Sequence, residues 1–229
     1  MISKEDNLDA LDRGKAARTI WQQRERLGRQ RVYDELMDVW DYEHHALWEA
    51  FGSIDALASA LREVSPPLML DHPLKVWRGA IVPSDTHPAE SAIGLSWTTS
   101  FEVACWFATV RAGLAPIMEQ RGDTPFVFEL DATADVIITL HQGRTVMTAT
   151  EREVLIEPAK LDRLTHKITV EGTALTLANL SDSWTHDAAL MRWRQAADRY
   201  TKKRMSLARN PFLSVRNNQP FGAHNRQDG

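Results

Sequence analysis

From Ser3 to Ser65 the chain contains no proline, whereas from Lys75 onward short apolar runs are broken by Gly, Pro, Asp and Asn. This change of texture constrains the fold more than any other feature. A stretch without proline is free to be helical throughout, and Ser3-Lys4-Glu5-Asp6 has the form of a helix-starting capping signature. Leu36, Trp40, Leu47 and Phe51 fall at steps of four, seven and four, one face of a helix with 3.6 residues per turn. Gly52-Ser53 breaks and recaps the chain, Ile54, Leu57 and Leu61 supply a second apolar face, and Pro66-Pro67 ends the helical region. Beyond it, Val76 to Ile81, Phe126 to Leu130, Val136 to Leu140, Val154 to Ile156 and Ile168 to Val170 read as strands. One helix interrupts them, capped by Ser100, with Val103, Ala104, Phe107 and Val110 at helical spacing, and ends at Gly113. A last amphipathic helix is expected from about Ala188 to Leu207. The order predicts an α+β protein: a helical lobe over residues 1–68, a strand-rich core over 69–185, a basic helix over 186–209 and a disordered tail over 210–229.

Composition bounds the function classes. No apolar run approaches the ~20 residues of a membrane-spanning helix, and Met1-Ile2-Ser3-Lys4-Glu5-Asp6 turns acidic where a secretory signal would be apolar. A soluble, cytoplasmic protein without a membrane partner is expected. Cys105 is the only cysteine, which rules out an intramolecular disulfide and a cysteine-built zinc cluster, and its apolar setting suggests inert packing. The adjacent His44 and His45 would point to different sides of a helix and make a poor metal pair, so no metal is expected. The net charge of −4 is unevenly spread. From residue 189 to the end nine basic residues face two acidic ones, leaving −11 on the remainder. An acidic body with a basic end is compatible with a polyanionic partner and equally with a solvated helix face.

Three motifs carry chemistry. In Val76-Trp77-Arg78-Gly79 an arginine lies mid-strand, where its guanidinium must find either an anionic ligand, such as a phosphate, or an internal ion pair. Gly94-Leu95-Ser96-Trp97-Thr98-Thr99-Ser100 runs hydroxyls from a strand end into the helix that contains Ala104 and Phe107; such a junction offers donors to an anion or caps the helix. In Thr150-Glu151-Arg152-Glu153-Val154-Leu155-Ile156 two glutamates two positions apart enter a strand, where alternation would point them the same way. Like charges so placed repel unless a cation or a developing positive charge sits between them, or they face solvent.

The order Arg, Ser-x-Thr before an Ala-x-x-Phe helix, then Glu-x-Glu-Val-Leu resembles the Arg–Ser–Glu class of mono-ADP-ribosyltransferases over residues 74–158. Measured back from that helix, Ser96-Trp97-Thr98 falls where this class has Ser-Thr-Ser, with Trp in the centre and Thr at the end; the alternative register is Thr98-Thr99-Ser100. The resemblance implies a split β-sandwich of two small, mainly antiparallel sheets. It also implies NAD as co-substrate, cleaved at the bond between nicotinamide and ribose, with ADP-ribose passed to a macromolecular acceptor.

By the same resemblance Arg78 holds the NAD phosphate and ribose, Gly79 lets the backbone approach the nicotinamide, and Ser96, Trp97 and Thr98 border the cofactor site. Glu153 is the expected catalytic carboxylate, stabilising positive charge on the ribose as nicotinamide leaves. Ser96 and Glu151 complete the implied catalytic set: Ser96 steadies the nicotinamide ribose or the glutamate, and Glu151 faces the acceptor, where a carboxylate can orient and help deprotonate a guanidinium. By its position in the loop before Glu151, Arg144 is a candidate contact to the acceptor or to NAD, or is solvated. Glu at position 151 implies a protein arginine acceptor, while the basic end of the chain suits RNA or DNA. A bacterial or phage toxin or effector, with an antitoxin or immunity partner, is the biological setting the resemblance implies. The competing reading is a catalytically silent module of the same fold that binds NAD or nucleic acid.

Overall fold

The computed structural model describes residues 4–110, 123–143, 146–161, 168–170 and 187–209. Four helices come first: α1 (Lys4–Gln22), α2 (Arg24–Leu27), α3 (Arg29–Phe51) and α4 (Ile54–Val64). Gly52 closes α3 with a left-handed φ of 82°, and the Ser53 hydroxyl accepts from the Ala56 N–H to start α4, as the Gly-Ser pair predicts. Then follow β1 (Leu74–Val82), α5 (Pro88–Ala92), β2 (Ser96–Thr98), α6 (Phe101–Thr109), β3 (Thr124–Ala132), β4 (Ile137–His141), α7 (Val146–Ala149), β5 (Glu153–Ile156) and a 3-10 turn (Pro158–Lys160). β6 (Thr169–Val170) and α8 (Asp187–Arg209) complete the described chain. Arg144, the Gly113 helix end and the tail from 210 lie outside the described residues. Among those residues no helix is long and apolar enough to cross a membrane.

The class is α+β, but the described strands form one six-stranded antiparallel sheet, in the order β4-β5-β2-β1-β3-β6, where two small sheets were expected. The physical reason is a narrow seam. β1 and β2 meet through one register pair, Trp77 with Thr98, and this joins β4-β5-β2 to β1-β3-β6.

Two apolar clusters cover the sheet. On one side the helical lobe packs Leu36, Trp40, Leu47, Leu57 and Leu61 against Leu95, Ile138 and Leu155. On the other, α6 and α8 pack Ala104, Cys105, Trp193 and Ala197 against Val76, Phe128, Val154 and Ile156. β5 is therefore covered on both faces, which is why its sequence is a continuous apolar run after Glu153. α8 buries Trp193, Ala196, Ala197 and Tyr200, one helical stripe, so the basic helix is a core element.

Candidate active site

The sheet seam opens on a cleft of about 270 Å³ lined by Arg78 and Gly79 of β1, Ser96 and Thr98 of β2, Glu151 and Glu153, and Trp40, Asp41 and His44 of α3. Residues drawn from three separate sequence motifs thus share one wall-to-wall space. The chemistry follows from what holds each side chain.

Arg78 donates from Nη1 to the Ser96 carbonyl at 2.7 Å and from Nε to the Ser91 carbonyl at 3.3 Å. Among the described residues no carboxylate forms an ion pair with it, and its partners there are backbone carbonyls. Withdrawal from water pushes the guanidinium down to about 10, still cationic at neutral pH. The result is a partly buried cation facing a cleft with carbonyls as partners, an arrangement suited to an anionic ligand.

Gly94 makes room for that cation. A Cβ there would sit 2.3 Å from the Arg78 guanidinium carbon. Gly94→Ala is therefore expected to displace the guanidinium and raise KM for an anionic substrate by about tenfold or more, since misplacing a binding group by ~1 Å has effects of that order. Circular dichroism should show an unchanged fold, because the clashing group is the mobile end of a long side chain; an unaltered KM would show that the guanidinium position does not matter. Gly79 lines the cleft and also has a packing role that needs no ligand. Its missing Cβ would come 1.8 Å from the Ala104 carbonyl oxygen, so the close approach it permits is of α6 onto β1.

Ser96 Oγ donates to Glu153 Oε1 at 2.5 Å. Of the two registers left open by the sequence, Ser96 is thus the hydroxyl on the glutamate, while Ser100 caps α6 by accepting from the Val103 N–H. Thr98 lies in the cleft wall, yet its Oγ1 donates to the Glu151 carbonyl at 2.6 Å and accepts from the Ser100 N–H at 3.0 Å, tying the Glu151 turn to β2. Trp97 also contributes to the cleft lining, but its indole is 2% exposed and donates to the Gly94 carbonyl, so most of the ring is packed in the core.

Glu151 and Glu153 do both line the cleft, but not by strand alternation. Glu151 belongs to the turn after α7, and Arg152 between them has φ of 48°, a left-handed conformation uncommon for a residue with a side chain. This turn brings both carboxylates to the same space. Glu151 Oε1 receives Arg204 Nη1 of α8 at 3.3 Å, and that guanidinium lies 4.6 Å from the centre of the Trp106 ring. Burial raises the Glu153 proton affinity, an effect opposed by hydrogen bonds from Ser96 and Trp40.

The sequence reading missed α3. Trp40 Nε1 donates to Glu153 Oε2 at 2.8 Å, and Asp41 Oδ1 pairs with His141 Nε2 at 2.6 Å. Trp40 was visible only as a member of an apolar stripe; its indole N–H, which needs an acceptor when buried, was the available signal.

Comparisons with protein-family models, with curated proteins and with solved structures each find no match to this chain.

Proposed function

We propose that the chain is an NAD-consuming mono-ADP-ribosyltransferase. The observation that carries the reading is the convergence of Arg78, Ser96 and Glu153 on one cleft, with the Ser96 hydroxyl on the Glu153 carboxylate. These residues are distant in sequence, and nothing in local structure requires a cation held by backbone carbonyls and an ionisable carboxylate to meet. A substrate with a pyrophosphate and a ribose that becomes positive as its base leaves has use for both. Arg78 would grip the phosphate, and Glu153 would hold the ribose hydroxyl and stabilise the developing charge.

For the acceptor, two expectations compete: a protein arginine and a nucleic acid. Glu151 already holds one guanidinium, that of Arg204, and Arg199 of the basic helix is engaged by Glu102. Both observations favour a guanidinium acceptor, because they show Glu151 accepting that group and part of the basic surface already committed. Acceptor labelling should then change little between low and moderate salt; a steep loss would point to nucleic acid.

The direct test is release of nicotinamide from labelled NAD. Release is expected to fall on the acid side at a pH above the ordinary glutamate value of 4.5, because Glu153 must be ionised and its proton is held more tightly in the fold. Absence of release and of labelling with any cell extract would favour the silent binding module.

A further inference from the structure

α3 faces the sheet with a row of polar side chains set into its apolar stripe. Tyr33 and Trp40, seven apart, share one face of the helix, and Asp41 lies one residue further, about 100° round it. Each reaches the strands that carry the site: Tyr33 Oη meets Thr139 Oγ1 at 2.9 Å, Trp40 Nε1 donates to Glu153 Oε2, and Asp41 pairs with His141. His141 of β4 and Glu153 of β5 are direct register partners, so Trp40 and Asp41, neighbours in sequence, grip neighbours across the sheet. The Asp41 and His141 side chains are 2% and 8% exposed. Just beyond them α3 is broken at Glu43 (φ −147°, ψ 44°), and Glu43 Oε2 is buried without a hydrogen-bond partner. A break in a long helix has a cost that surrounding packing must offset.

We propose that Trp40, aimed by the Asp41–His141 pair, is a positioning residue for Glu153. Ser96 holds one carboxylate oxygen and Trp40 the other, so the carboxylate is fixed in one orientation before substrate arrives. Each oxygen keeps a further lone pair for a substrate hydroxyl. Two fixed donors also favour the charged carboxylate in a site that burial would otherwise neutralise. The kinetic part of this inference rests on the transferase reading; the positioning itself does not.

The test compares Trp40→Phe, which removes only the N–H and some bulk, with Trp40→His, which keeps a ring N–H. Trp40→Phe is expected to lower kcat for nicotinamide release by about ten- to a hundredfold, the effect of losing one hydrogen bond to a charged group, with KM for NAD little changed. Its acid limb should move to higher pH. The histidine variant should recover part of the rate although it packs less well. A ¹³C NMR titration of the Glu153 side-chain carboxyl, assigned with Glu153→Gln, should show the same upward shift without NAD. Among the described residues, the other charged or titratable groups lining or flanking the cleft are Arg78 of β1, His141 of β4, Asp41 and His44 of α3, Glu151 and its partner Arg204 of α8; both variants keep them all, and Trp40→His adds one imidazole, which Trp40→Phe does not. Trp40→Met, a donor-free and adaptable filler, replaces Trp40→Phe if the latter does not fold.

A wild-type rate and an unshifted titration in the donor-free variant would overturn the proposal, as would activities that follow melting temperature instead of the presence of the N–H. If wild-type protein releases no nicotinamide, the transferase reading fails, and the carboxyl titration alone decides the role of Trp40.

Discussion

Glu153→Gln is expected to fold normally and to lose nicotinamide release by about a hundredfold or more, the scale seen when an electrostatic stabiliser of a transition state is removed. The amide keeps the shape of the side chain and can still accept from Trp40, but it cannot offer a negative charge to a ribose turning positive. The same substitution makes a second, independent statement about stability. Burial raises the proton affinity of Glu153, so the stability associated with its neutral form is complete below the ordinary value of 4.5 and lost as pH rises through the folded-state value. The variant, neutral at every pH, should therefore melt at or above wild type at neutral pH, and the difference should shrink in acid. Melting curves at both ends of that window check it. An active Glu153→Gln enzyme would overturn the assignment of the carboxylate.

Arg78→Ala is expected to reduce kcat/KM for NAD by about a hundredfold, the order associated with losing one or two charge-assisted hydrogen bonds to phosphate. The fold should survive, because the partners left behind among the described residues are the Ser91 and Ser96 carbonyls. Arg78→Lys should not restore activity, since an ammonium lacks the planar fork that reaches two acceptors at once. Steady-state kinetics with NAD at several concentrations separates the outcomes. Full activity in the lysine variant would mean that only charge matters at this position.

Much of this arrangement was legible in the sequence, and the parts that were not share a cause. Strand positions, the Gly52-Ser53 recapping and the grouping of Arg78, Ser96 and Glu153 follow from local pattern or motif order. What local pattern does not contain is long-range pairing. Trp40 lies 113 residues before Glu153, and an apolar stripe says nothing about which indole N–H will find a carboxylate. The co-facing of Glu151 and Glu153 was expected from strand alternation, yet it comes from a left-handed Arg152, a conformation with no marker when the residue is not glycine. Likewise two sheets become one because of a single register pair, Trp77 with Thr98, which no composition or spacing reveals.

The grip of α3 on β4 and β5 has a consequence for dissection of the chain. The helical lobe supplies one wall of the cleft, a hydrogen bond to Glu153 and the apolar cover of Leu155 and Ile138. A fragment beginning at β1 would leave that side of the sheet bare and release Glu153 Oε2. The first sixty-odd residues are thus not a portable module that can be deleted or exchanged; the smallest excisable unit retaining the cleft begins within them.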